Sequence, residues 1–164
     1  MLLLKDGWIG EDPWRHLDDA EPLPDGAPAT VSLKRWSAER GALMRRKGRL
    51  GLRLPNDAAP LALAEDIARF DLIALSFPRF TDGRAYSQAR LLRGRLGFRG
   101  ELRATGNVLR DQLMFMRRCG IDAFEVGDRA LAENWLAALG EFGAFYQPAE
   151  DGQPWIARRR ALAG

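Results

Sequence analysis

Two kinds of apolar spacing alternate along this chain. Short runs such as Leu72 to Phe77 are nearly continuous in leucine, isoleucine and phenylalanine, whereas longer stretches place their apolar residues three or four positions apart. The first pattern marks strands and the second helices. At the amino terminus, Leu2 to Leu4, Lys5-Asp6-Gly7, and Trp8 with Ile9 predict a β-hairpin, because Asp-Gly tolerates the positive φ angles of a tight turn. From Asp18 to Pro28 the chain has few large apolar side chains and carries Pro22, Pro24 and Pro28, with Pro13 nearby, which predicts a surface loop.

A regular alternation follows. Ala29 to Leu33 is a short strand, and Ser37 is placed to N-cap a helix that runs to about Lys47 before Gly48. Leu50 to Leu54 is a strand, Pro60 to Phe70 a helix with proline in its first turn, and Leu72 to Phe77 a strand buried on both faces. A helix from about Gly83 to Leu96, a strand Glu101 to Ala104, a helix Leu109 to Cys119, a strand Asp122 to Val126 and a helix Ala130 to Leu139 complete the series. Such alternation builds right-handed βαβ units. The predicted fold is therefore α/β: about four strand-helix units with a mainly parallel sheet, as an open sheet or a half-barrel, preceded by the hairpin. We divide one domain, residues 1–164, into a hairpin and loop (1–35), a βα core (36–140) and a tail (141–164).

Composition narrows the function classes. A chain of 164 residues suits one core. Its 46% hydrophobic and 29% charged residues are ordinary for a globular protein, and no run of eighteen apolar residues could cross a bilayer. The start lacks the pattern of a secretory signal, so cytoplasmic residence is expected. The net charge of +3 is modest and the arginines alternate with acids, which does not imply nucleic acid; Arg45, Arg46, Lys47 and the tail Arg158 to Arg160 read as solubilising clusters. With one cysteine, Cys119, no internal disulfide or dithiol chemistry is possible. No GxGxxG, Walker loop, CxxC or metal-ligand spacing is present, so no cofactor and no metal are expected.

Ligands of parallel α/β folds sit beyond the carboxyl ends of the strands, here the turns after Phe77, Ala104 and Val126. The first turn holds Arg79, Asp82, Gly83 and Arg84. Asp82 is a candidate N-cap, Gly83 leaves its amide accessible, and the two arginines suit an oxyanion. The competing reading makes Asp82 a plain cap, pairs Arg84 with Asp82 or Asp111, and places Phe77 and Phe80 in the core. The second turn offers Thr105 or Asn107 as N-cap ahead of Asp111 and Gln112, with Arg103 on the preceding strand. Arg103 in a buried strand requires a carboxylate, such as Asp111 or Glu125, or a ligand, unless it faces water at a sheet edge. Candidate anion-binding residues are thus Arg79, Gly83, Arg84, Arg103 and Gln112, and candidate acid-base residues Asp82 and Asp111. Leu109, Leu113 and Met116, with Gln112, Phe115 and Cys119 beside them, form a stripe expected to be core, in which the thiol is inert. His16 has no partner at recognisable spacing and is expected at the surface. The five tryptophans, spread along the chain, suit core edges or an interface.

The block FPRFTDGRAYSQARLLR, followed by GELRATGNVLRDQLMFMRRCGIDAF, resembles the hallmark region of the bacterial family known as domain of unknown function 934. The likeness covers most of Leu50 to Val126. Members are often labelled oxidoreductases of sulfite reduction, after genes that lie beside those of sulfite reductase and phosphoadenylyl-sulfate reductase. They often carry an acidic residue where Asn107 stands and phenylalanine where Ile121 stands. The resemblance implies an accessory protein of assimilatory sulfate or sulfite reduction that binds a partner, such as sulfite reductase or another sulfur-assimilation enzyme, or a sulfur oxyanion. The alternative is a small enzyme acting on a phosphorylated or sulfonated metabolite. The N-terminal ribbon and the tail from Tyr146 to Trp155 are the expected contacts of a homodimer.

Overall fold

The computed structural model describes residues 1–79, 81–140 and 149–150. Phe80, Arg158 to Arg160 and the tail from Tyr146 to Trp155, apart from Ala149 and Glu150, lie outside the described residues. Among those described, eight strands form one curled, half-barrel sheet in the order β2-β1-β8-β7-β6-β5-β4-β3. They are β1 (Leu2–Lys5), β2 (Trp8–Glu11), β3 (Arg15–His16), β4 (Gly26–Ser32), β5 (Gly48–Leu54), β6 (Leu72–Phe77), β7 (Glu101–Gly106) and β8 (Ala123–Val126). From β3 to β8 neighbours run parallel. The expected hairpin forms at Asp6 (φ 48) and Gly7 (φ 79), and β1 inserts antiparallel between β2 and β8.

The α-helices among the described residues are α1 (Leu33–Arg45), α2 (Arg84–Arg90), α3 (Leu113–Arg118) and α4 (Arg129–Gly140). They cover the outer face. Leu50, Leu52, Leu54, Ile73, Leu75, Phe77, Leu102, Ala104, Phe124 and Val126 point there, against Trp36, Leu43, Ala85, Ala89, Leu92, Leu113, Met116 and Trp135. Every second strand residue therefore lies in one continuous apolar layer.

Local chemistry moves several predicted boundaries. Ser32, not Ser37, caps α1: its Oγ accepts from the Arg35 N–H at 3.0 Å, while Ser37 donates to the Leu33 carbonyl inside the helix. Pro60 to Phe70 forms no α-helix. It breaks into two 3₁₀ turns, Pro60–Leu63 and Ile67–Arg69, and the intervening Asp66 is held by Arg40 at 2.8 and 2.5 Å. The helix expected from Gly83 to Leu96 is α2 followed by a π-turn, Leu91–Arg95. The helix expected from Leu109 is a 3₁₀ turn (Arg110–Gln112) before the short α3. Neither Thr105 nor Asn107 caps it: Thr105 Oγ1 donates to the Leu75 carbonyl and Asn107 Nδ2 to the Pro78 carbonyl. Leu113, Met116 and Cys119 are core as expected, but Leu109 and Phe115 are exposed. Trp14, Trp36 and Trp135 are buried, whereas Trp8 is exposed.

Candidate functional site

The inner face of the sheet has a different character. In β5 to β8 a polar residue stands between apolar ones near the carboxyl end: Arg53, Ser76, Arg103 with Thr105, and Glu125. Alternation turns all of them to the side opposite the helices. The segment that joins β2 to β4 crosses this face. Trp14 packs on Leu72 and Ala74, with the Arg49 guanidinium 4.7 Å from its ring centre, and Leu17 is buried.

That crossing carries Asp12 and His16 towards Arg103. Arg103 is 0% exposed, and its Nη1 and Nη2 donate to the two Asp12 oxygens at 2.5 and 3.1 Å. Its Nη2 also lies 2.7 Å from Glu101 Oε1, and Nη1 donates to Glu125 at 3.4 Å. Lys5 reaches the other Glu101 oxygen at 3.1 Å. His16 Nε2 lies 2.7 Å from Asp12 and 3.8 Å from Glu125, and its Nδ1 is 2.9 Å from Thr30 Oγ1. Burial alone would raise the Asp12 pKa, but hydrogen bonds from His16 and Arg103 outweigh it and hold the carboxyl far below its usual range. For Arg103, desolvation is likewise outweighed by its carboxylates, and the guanidinium stays charged.

The network bears on two expectations. Of the two carboxylates expected beside Arg103, Glu125 pairs with it and Asp111 does not, and Asp12 and Glu101 are further partners. His16 is exposed as expected, yet it is not partnerless, since both ring nitrogens are engaged. Asp12, His16 and Glu125 do offer three ligand atoms within 4.8 Å of one another. Arg103 Nη1 already rests on two of those residues, so the chain itself supplies the positive charge there.

Above this network, at the carboxyl ends of the parallel strands, opens a groove of about 540 Å³. Ala74, Ser76 and Thr105 form its floor, His16 and Glu125 stand at one side, and Arg53, Lys34 and Ser32 at the other. The small residues at 74 and 76 leave the space. Arg53 is anchored by one donor to the Leu17 carbonyl, which leaves the remainder of its fork available. Asp19, at the rim, lies 4.0 Å from Lys34 and takes the Ser32 hydroxyl at 2.5 Å.

The predicted turn residues are arranged otherwise. Arg84 donates through Nε and Nη2 to Asp82 at 3.0 and 2.7 Å, and Asn56 Nδ2 reaches Asp82 at 2.6 Å. The Arg84 side chain and backbone N–H lower the Asp82 pKa to about 2. This carboxylate is a fixed anion, already occupied by the arginine expected to clamp a ligand. Gly83 precedes α2, and Arg79 and Asp111 are exposed. Gln112 accepts from the Leu109 N–H through Oε1 at 3.4 Å. Arg103 belongs to the inner-face network, so the five anion-binding candidates do not converge on one point. Cys119 is buried, and burial pushes its thiol pKa up, outweighing Arg90.

Asp12, His16, Arg53, Ser76, Thr105 and Glu125, which build the network and the groove, are absent from the site candidates that the sequence suggests. One signal for them exists in the strands: each of four successive apolar runs carries a polar residue near its carboxyl end, and the register sets these in adjacent rows, with Arg53 and Arg103 flanking Ala74 and Ser76 beside Thr105. Asp12 and His16 carry no such signal, because their place depends on a loop crossing.

A family model matches residues 51–156, described as a bacterial protein of unknown function, DUF934. No curated protein and no solved structure matches the chain.

Proposed function

The chain belongs to the DUF934 family, and from that premise and the groove we propose that it is an accessory protein of assimilatory sulfate or sulfite reduction that binds a sulfur oxyanion. One observation carries the oxyanion reading. Arg53, Lys34 and the Ser76 hydroxyl converge on a groove at the carboxyl ends of the parallel strands, with small residues beneath. Guanidinium and hydroxyl donors in a concave site are what a sulfite, sulfate or sulfonate group requires. The sulfur pathway itself rests on the label that family members carry.

Thermal unfolding of the purified protein with sulfite, sulfate or phosphoadenylyl sulfate tests the site. Ligand at about a hundred times its dissociation constant adds roughly 2.7 kcal/mol, a shift of several degrees. The shift is expected to vanish in Arg53→Ala and to persist in Arg79→Ala. No shift with any of the three, or a shift indifferent to Arg53, overturns the reading.

One observation favours a catalytic variant of this proposal, a small enzyme acting on a sulfonated or phosphorylated metabolite. His16 stands in the groove wall with Nε2 on the Asp12 carboxylate, which would stabilise an imidazolium, and acid-base work requires Nδ1 to exchange the Thr30 hydroxyl for a substrate group. Asp82 and Asp111 have no such surroundings. Turnover that is lost in His16→Gln while oxyanion binding survives would separate the enzyme from the binding protein.

A further inference from the structure

We propose a second small-molecule site on the opposite side of the sheet, one that takes an anion with an apolar body. A cavity of about 660 Å³ lies between the β1–β2 turn, the start of β8 and the carboxyl half of α4. Its floor is apolar: Ile121, Phe124, Leu136 and Leu139. Its cations fall into two groups. Lys5 is taken by Glu101 at 3.1 Å. Arg93 is held by four acceptors, the carbonyls of Gly120, Phe98 and Gly100 at 2.9, 2.8 and 2.8 Å and the Asp122 carboxylate at 2.7 Å. That arginine is a wall, and it neutralises the one acid fixed beside it.

Arg99 and Arg117 form the other group. Both line the cavity, and neither guanidinium group has a hydrogen bond or ion pair among the described residues. Two uncommitted guanidinium groups over an apolar floor suit a carboxylate, sulfonate or phosphate at one end of the ligand and a hydrocarbon or ring at the other. Asp6 and Glu150 also border the cavity. Asp6 sits on the exposed tip of the hairpin, and the Glu150 carboxylate lies against Gly94, 3.0 Å from where a β-carbon there would stand. These acids disfavour a ligand of high negative charge and select for a monoanion.

The probe is 8-anilinonaphthalene-1-sulfonate, an aromatic monosulfonate whose fluorescence rises on leaving water, titrated into the full chain. Saturable binding is expected, and in Arg53→Ala, whose groove is disabled, one site per chain remains. In Arg99→Ala/Arg117→Ala the affinity falls about tenfold or more, since one charge-assisted contact is worth about that factor. Added salt weakens the wild-type protein but not the double variant. Leu136→Trp, which fills the floor, abolishes binding, and melting curves confirm that each variant is folded. Arg53→Ala leaves the binding intact, which separates this site from the groove. Absence of saturable binding, equal affinity in the double variant, or loss in Arg53→Ala would each overturn the proposal.

Discussion

The two faces of the sheet are held by opposite physics. Outside, Leu50, Leu52, Leu54, Ile73, Leu75 and Phe77 meet the helices in a layer that is stable because it leaves water. Inside, Arg103 is as deeply buried as any of them, yet it keeps its charge by contact with three carboxylates. An apolar layer tolerates changes of shape if volume is kept, whereas a buried ion network tolerates little change of any single member. The tolerant face carries the architecture and the intolerant one underlies the candidate site.

Paired truncations break the comparison most directly. Phe77→Ala removes a fully buried ring and is expected to cost about 3–5 kcal/mol in urea unfolding. Arg103→Ala is expected to cost about 3–5 kcal/mol for another reason, since it leaves buried carboxylates uncompensated. The two losses separate on a second substitution. Asp12→Asn added to Arg103→Ala should recover part of the stability, whereas added to Phe77→Ala it should deepen the loss. Recovery in neither background would show that the inner network contributes by shape and not by charge.

A smaller effect sharpens the boundary between the faces. Gly106 ends β7 with φ +92°, and a β-carbon there would stand 2.6 Å from the Phe77 carbonyl oxygen. Gly106→Ala should cost about 1–3 kcal/mol through backbone strain. The last distinction is acid. The folded-state pKa of Asp12 lies below its unfolded value of about 4, so its contribution is complete above that pH and is lost as pH falls through the folded value. Stability should therefore decline below about pH 4, with the decline kept in Phe77→Ala and flattened in Arg103→Ala. Equal acid slopes in both variants would remove the network from the account.

How legible the two faces are in the sequence follows from the range of the interactions. Leu72–Phe77 is plain to read because nearest neighbours decide whether a run is apolar, and the parallel core follows from strand-helix alternation. The segment after Pro60 misleads because its pattern suits a helix, while Arg40, more than twenty positions earlier in the chain, fixes Asp66 between two tighter turns. Phe115 misleads because a six-residue helix has too few turns to bury a whole stripe; its ring lies over Tyr86 and stays half exposed. At the candidate site, the need of Arg103 for a carboxylate is readable, and Glu125 is among the partners expected. Asp12 is not, because 91 positions separate it from Arg103 and only the crossing of the inner face brings them together.

The placing of β1 between β2 and β8 also governs when the fold can exist. Leu2 to Lys5 pairs with Ala123 to Val126, so the amino-terminal hairpin has no sheet to join until nearly all of the parallel core has been made. A contact of such sequence separation is among the slowest to close. On the ribosome the hairpin waits while β8 is synthesised, and the exposed edge of β1 must avoid other strands meanwhile. The pairing that completes the sheet is thus also its final checkpoint: Lys5 reaches Glu101, and Asp12 reaches Arg103, only in a chain whose β8 has arrived.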